Sequence, residues 1–215
     1  MNIERAKILT GFVTLIVVAS AGILVWNQRE RPDISSSGAA EKKLSVVATF
    51  YPLEYFARRV GGDTVEVTGI VPVGVEPHEY EPTPQNILNV HQADVFLING
   101  AGLDPWAEKL RPELEGRGIV IVQLSEKVKL LPETPDPHFW LDPVIVQTEV
   151  EAIRDALIIR DPARKEVYTR NADLILQELS ALDRDFRSGL SACRLDTIVT
   201  THEAFAYLAR RYGFE

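Results

Sequence analysis

The sequence of 215 residues contains a single cysteine, Cys193, and only four histidines. One cysteine excludes an intramolecular disulfide and a structural zinc site made of several cysteines. A metal site in this chain would therefore depend on histidine and carboxylate ligands.

Positive charge is also scarce, because 23 Lys and Arg residues face 31 Asp and Glu residues, for a net charge of −8. Six of the basic residues lie within the first 43 positions, so the remainder is more acidic still. Binding of nucleic acid depends on basic patches, and this composition excludes a nucleic-acid partner. An acidic body suits a cationic ligand, although solubility alone explains the charge equally well.

The common enzyme motifs are missing. His202-Glu203 begins like the H-E-x-x-H motif of zinc proteases, but Ala206 stands where the second histidine would be. The sequence has neither a G-x-S-x-G elbow nor a P-loop. We therefore predict that the protein is not an enzyme. A zinc hydrolase that uses Glu79 or Glu203 as its base remains the alternative from another class.

Three histidines lie in loop motifs marked by proline, acidic or aromatic residues. His78 lies in segment 77–82, His138 in segment 136–143 and His202 in segment 200–205. Their spacings of 60 and 64 residues indicate that the three imidazoles come from separate structural units and could converge only at a cleft between them. Neutral imidazole is the commonest metal ligand and three imidazoles suit Zn²⁺. We expect the fourth, His91, to lie on a helix, at the surface or in the core.

An apolar run from residue 8 to 26 is about long enough to span a bilayer. Small residues at 19–21 resemble a signal-peptide cleavage site, but the apolar run continues beyond them. We expect residues 1–26 to be a signal peptide or, preferably, an uncleaved signal anchor, followed by a flexible linker at 27–43. The body would then lie outside the cytoplasm, in the periplasm or at the cell surface, and be held at the membrane by its N-terminus.

The body alternates short β-rich runs with helical patterns, which predicts an α/β lobe with a largely parallel sheet at residues 44–160. A long amphipathic helix follows at 161–190 and is predicted to connect two such lobes. Residues 191–215 contain one predicted strand, at 195–199, and one predicted helix, at 204–212. Because so short a segment cannot bury its own core, we expect the second lobe to be incomplete and the chain to be C-terminally truncated. The predicted strands of the first lobe are 44–49, 64–71, 94–98 and 119–122, and the helices of the body before residue 191 are 52–60, 83–92, 104–110, 143–159 and 163–190.

Five separated segments make the sequence resemble the metal-specific solute-binding proteins of ABC importers, the zinc- and manganese-binding group that includes ZnuA-like proteins. These segments are 46–53, 71–84, 93–106, 136–143 and 200–213. The resemblance implies two α/β lobes bridged by one long helix, with a divalent metal ion held in the cleft between the lobes.

The resemblance also implies the ligands and the partners. His78 and His138 match the ligands of the first lobe and His202 matches a ligand of the second, while the family's fourth ligand would lie beyond residue 215. The acidic, histidine-rich loop common in zinc-specific members is missing between residues 127 and 135. The implied function is to capture Zn²⁺ and deliver it to the membrane subunits of an ABC permease. A manganese-binding member or a metal-dependent surface adhesin remains the alternative; three imidazoles favour zinc over Mn²⁺.

Several neighbours of these histidines are predicted to shield the site or to orient its ligands. Asp142 is a candidate for holding a ligand in place, and its alternative role is to cap the helix that starts near Pro143. The aromatic residues would shield the metal, or else simply pack in the core. The full set is Glu79, Phe139, Trp140, Asp142 and Phe205.

Overall fold

The computed structural model describes residues 42–132 and 136–215, which form one compact unit. The predicted signal anchor at 1–26 and all but the end of the linker at 27–43 lie outside the described residues. Within the described ranges, no helix combines the length and the apolar character that a membrane span requires.

A parallel four-stranded sheet forms the centre of the unit. Its strands are β1 (Leu44–Ala48), β2 (Val65–Gly69), β3 (Val95–Ile98) and β4 (Val120–Gln123), in the order β2-β1-β3-β4. Val46 pairs with Val67 on one side and with Val95 on the other. These runs are rich in β-branched residues, and helices follow the strands, as the sequence predicts for a parallel sheet.

The described residues contain six α-helices, and proline lies at the start of four of them. They are α1 (Tyr51–Gly61), α2 (Pro84–His91), α3 (Pro105–Leu114), α4 (Pro143–Arg160), α5 (Lys165–Leu190) and α6 (Ala206–Tyr212). Proline suits the first turn of a helix because the missing N–H has no intrahelical partner there. Thr83 caps α2, since its hydroxyl accepts a hydrogen bond from the Asn86 N–H.

The sheet is covered on both faces, and successive strand residues alternate between them. Val46 belongs to a large core shared with Leu53 of α1 and Ile153 of α4, whereas Val47 belongs to a smaller core shared with Val90 of α2 and Leu114 of α3. Burial of Leu114 explains why α3 continues four residues beyond its predicted end, despite a proline in the last turn.

The long helix α5 packs on the unit through its N-terminal half. Tyr168, Ala172 and Ile175 are buried there, and the side chain of Asn171 donates to the carbonyl of Val60. Its 26 residues correspond to about 39 Å. Beyond Ile175 none of its side chains is fully buried, and Leu182 is 43% exposed. That α5 connects two lobes stays a prediction, because the described residues contain one sheet.

The predicted strand at 195–199 is wrong for this structure. The segment has no strand assignment and pairs only with the end of the chain: the Ile198 N–H donates to the Glu215 carbonyl at 2.8 Å. Val199 is 96% exposed. A segment rich in β-branched residues becomes a strand only when its backbone N–H and C=O groups bond to a neighbouring strand, and the described residues contain no such strand beside this segment. The helix that follows starts at Ala206, two residues later than predicted.

Candidate metal centre

His78 lies on the long loop that connects β2 to α2. Its side chain is 29% exposed, and its N–H donates to the carboxylate of Glu76 at 3.3 Å. Burial lowers the pKa of His78 below its ordinary value, and the neighbouring His138 lowers it further. The imidazole of His78 is therefore held in its neutral form, which is the form that binds metals.

His138 is the first residue of a short 3-10 helix, His138–Leu141, and only 6% of it is exposed. One carboxylate oxygen of Asp136 accepts from the His138 N–H at 2.9 Å and lies 2.7 Å from its Nδ1. This contact assigns the proton to Nδ1 and leaves the lone pair on Nε2 free for a ligand. Asp136 therefore fixes both the orientation and the tautomer of His138.

His202 is exposed and lies between α5 and α6. Its carbonyl accepts hydrogen bonds from the Thr200 hydroxyl and from the Ala204 N–H, which form a local turn. The segment is held to the rest of the unit by α6. There the hydroxyl of Tyr207 accepts from the Leu131 N–H at 3.1 Å and donates to the Asp136 carbonyl at 3.0 Å.

The three imidazoles converge on one point. Nε2 of His138 lies 3.1 Å from Nε2 of His78 and 3.0 Å from Nε2 of His202, and the potential ligand atoms of all three lie within 4.8 Å of one another. Two nitrogens bound to a tetrahedral zinc ion at about 2.0–2.1 Å would be about 3.3 Å apart. The arrangement is therefore close to the geometry that zinc requires.

The chemistry of the donors also fits a divalent metal. Across residues 42–132 and 136–215, this is the only group of three or more His, Cys, Asp or Glu side chains with metal-binding geometry. Three imidazole nitrogen donors leave the fourth tetrahedral position open. Since His202 is exposed and His138 is buried, the open side of the site faces solvent at His202.

Of the predicted aromatic neighbours, Trp140 contacts the site. Its ring centroid lies 5.1 Å from that of His138 and 4.7 Å from that of Phe50. Phe139 is fully buried and packs edge-on against Tyr207, so it belongs to the core. Phe205 is 38% exposed and directly precedes α6.

The predicted acidic neighbours take other positions. Glu79 and Glu203 are both exposed. Asp142 accepts from the Val144 N–H and so caps α4, which was the alternative role, and it also pairs with Arg211 at 2.8 Å. Among the described residues, the carboxylate that hydrogen-bonds to an imidazole of the cluster is that of Asp136. The sequence signal for this role was its position two residues before His138.

Asn99, at the end of β3, is a further residue that the sequence did not indicate. Its side-chain amide donates to the carbonyl of Pro137 at 3.1 Å and so supports the turn before His138. The carboxylate of Asp104 accepts from the N–H groups of Asn99 and Gly100, both at 2.8 Å. Gly100 has φ +78°, and a Cβ there would lie 2.2 Å from the hydroxyl of Ser125, so glycine is required.

His91 lies outside the cluster, as expected. It is the last residue of α2, and its Nε2 lies 3.6 Å from the carboxylate of Glu113. His91 therefore serves as a histidine control for experiments on the other three.

Comparison with known proteins gives a family match and several relatives. The sequence model of the family described as "Zinc-uptake complex component A periplasmic" (ZnuA) matches residues 46–215. The zinc-binding lipoprotein AdcA of Streptococcus pneumoniae is 34% identical over 198 residues, which are 84% of this chain and 40% of AdcA. The manganese-binding lipoprotein MntA of Halalkalibacterium halodurans is 37% identical over 178 residues, which are 80% of this chain and 59% of MntA.

A solved structure shares the fold. The Zn(II)-bound ZnuA-like domain of Streptococcus pneumoniae AdcA superposes with a TM-score of 0.76 at 38% identity, covering 80% of this chain and 65% of that domain. The chain thus spans well under two thirds of the length of the AdcA and MntA relatives.

Proposed function

Because the chain belongs to the ZnuA family of zinc-uptake components, we propose that it captures Zn²⁺ through His78, His138 and His202 for an ABC importer. The main support for this proposal is that the Nε2 atoms of the three imidazoles converge on one point. One of these imidazoles, that of His138, is held by Asp136 through its Nδ1. In this role the protein binds and hands over a metal ion and performs no catalysis. The membrane subunits of a permease are its proposed partners.

The donor set favours zinc over manganese. All three donors are imidazole nitrogens, which suit zinc, whereas Mn²⁺ prefers carboxylate, carbonyl and water oxygens. Manganese is retained as the second candidate, since a relative of 37% identity is a manganese-binding lipoprotein. The fourth position is proposed to hold water or a ligand from outside the described residues.

The location follows from the same family, whose description is periplasmic. The protein is accordingly assigned outside the cytoplasm. The finer proposal is that residues 1–26 serve as an N-terminal membrane anchor, which proteolysis of intact cells and N-terminal sequencing of the mature protein would test.

The proposal is tested by competitive titration of the 215-residue chain with Zn²⁺ and Mn²⁺ against a chromophoric chelator. We expect zinc to bind more tightly than manganese. Alanine at His78, His138 or His202 should weaken zinc binding more than about 100-fold, which is more than the loss of a residue that only hydrogen-bonds to a metal ligand. His91→Ala is the matched control and should bind as the wild type does. Tighter binding of manganese would reject the zinc assignment, and equal affinity in the His138 variant would reject the site.

A further inference from the structure

A cavity of about 730 Å³ opens where α6 meets the segment that follows β4. Its walls come from residues 127–132, the first turns of α4, Arg187 of α5 and three residues of α6. Its volume falls within the range of about 300–1,000 Å³ that is typical of small-molecule sites. We call it the cationic cavity, because of the charges described next.

The lining is basic although the chain as a whole is acidic. Five of its fourteen lining residues are Lys or Arg, and one, Asp142, is acidic. Over the whole chain, by contrast, Asp and Glu outnumber Lys and Arg by 31 to 23. The five are Lys127, Lys129, Arg187, Arg210 and Arg211.

Two of these cations are neutralised by neighbouring carboxylates. Arg211 pairs with Asp142 at 2.8 Å, and Arg187 pairs with Asp183 at 3.1 Å. The other three are Lys127, Lys129 and Arg210, and no ion pair joins them to any residue of 42–132 or 136–215. The cavity therefore brings together, from segment 127–129 and from α6, three positive charges that have no ion-pair partner among the described residues.

We propose that the cationic cavity binds a multivalent oxyanion of the phosphate class. The positive charges of the two segments repel each other, and an anion bound between them would be attracted to each of them and offset that repulsion. Lys supplies a mobile point charge, and Arg a planar fork that matches phosphate oxygens. The Thr148 hydroxyl adds a polar group to the wall, and Leu131 and Ile145 add apolar surface.

An anion in this position would tie α6 to segment 127–129. Arg210 lies on α6, as does Tyr207, whose hydroxyl already joins α6 to Leu131 and Asp136. Occupancy of the cavity should therefore reduce local opening of α6, which is a helix of seven residues.

The test uses the metal-free 215-residue chain, so its result does not depend on the proposed metal function. Isothermal titration with inorganic pyrophosphate at about 0.15 M salt should show one saturable site per chain, because screening at that salt removes weak surface attraction. The Lys127→Gln/Arg210→Gln double variant should lower the affinity about 10-fold or more. The control is Lys109→Gln/Arg184→Gln, which removes the same charge at exposed positions outside the cavity.

Hydrogen exchange supplies a second readout, since amides of α6 should exchange more slowly when pyrophosphate is present. Absence of saturable binding, or an equal loss of affinity in the two double variants, would overturn the site. Saturable binding that leaves exchange in α6 unchanged would overturn the bridging role. Circular dichroism of each variant establishes that the differences do not arise from unfolding.

Discussion

Glu149 lies in the middle of α4 with its side chain in the apolar core. It is 0% exposed, and within the described residues neither of its carboxylate oxygens has a hydrogen-bond partner. Its neighbours on the same helix face, Val146, Val150 and Ile153, are also buried. Burial raises the pKa of Glu149 from 4.5 to about 8. The side chain is therefore protonated in the folded protein at neutral pH.

The raised pKa makes the stability of the fold depend on pH. In the unfolded chain Glu149 loses its proton near pH 4.5, and in the folded chain near pH 8. Between these values the unfolded state binds fewer protons, so the free energy of unfolding falls as pH rises. The slope reaches about 1.4 kcal/mol per pH unit, and from pH 6 to 8 the loss is roughly 2–3 kcal/mol. The contribution of Glu149 to the free energy of unfolding is fully present below pH 4.5 and is fully lost above the pKa that Glu149 has in the folded chain.

Glu149→Gln removes the ionisable group while it keeps the size of the side chain. We expect urea unfolding, followed by tryptophan fluorescence between pH 5 and 9, to show a shallower pH dependence in this variant than in the wild type. A chelator keeps metal from obscuring the comparison. Glu151→Gln, at an exposed position two residues away on α4, is the matched control and should follow the wild type. If the wild type and Glu149→Gln lose stability in parallel as pH rises, Glu149 does not ionise in the core and the reasoning fails.

Three further predictions concern the metal centre and its scaffold. Asp136→Asn should weaken zinc binding about 10–100-fold in a chelator competition, and an unchanged affinity would remove its assigned role. Zinc binding should release protons and weaken as pH falls through the histidine range, and His78 should stay neutral to lower pH than a free imidazole because its pKa is lowered. Calorimetry in two buffers of different ionisation enthalpy measures the protons released, and a zinc affinity that does not depend on pH would contradict this prediction. Thr83→Ala should lower the free energy of unfolding by about 1 kcal/mol through loss of the α2 cap, and urea midpoints identical to wild type would argue against it.

Local signals account for most of what the sequence predicted correctly. The strands β1 to β4 are short β-branched runs, and helices start at prolines such as Pro84 and Pro143, so element types and helix starts could be assigned from neighbouring residues. The same holds for the three histidines, because each lies in a distinctive loop motif. Their convergence was predicted from their wide spacing and from the resemblance to a family of metal-binding proteins, and it agrees with the structure.

What the sequence could not determine is the environment of residues that depend on distant parts of the chain. Segment 195–199 has the composition of a strand but lacks a neighbouring strand among the described residues. Asp136 and Asp142 flank the same motif, and both could have reached an imidazole. In the structure Asp136 contacts His138, whereas the carboxylate of Asp142 binds Arg211, which lies 69 residues further along the chain. Such a long-range pair leaves no pattern in a single sequence.

The three histidines differ in how firmly the fold holds them, and this difference bears on how the site works. His138 is buried and fixed by Asp136, while the turn before it is supported by Asn99 from the end of β3. His202 is exposed, and its segment is joined to the same region through Tyr207, whose hydroxyl contacts the carbonyl of Asp136. Asp136 thus contacts both parts of the site: its carboxylate holds His138, and its carbonyl accepts the hydrogen bond from Tyr207 that holds the segment carrying His202. A metal ion bound by the three imidazoles would therefore be most exposed to solvent on the side of His202, whose segment is joined to the rest of the unit through α6.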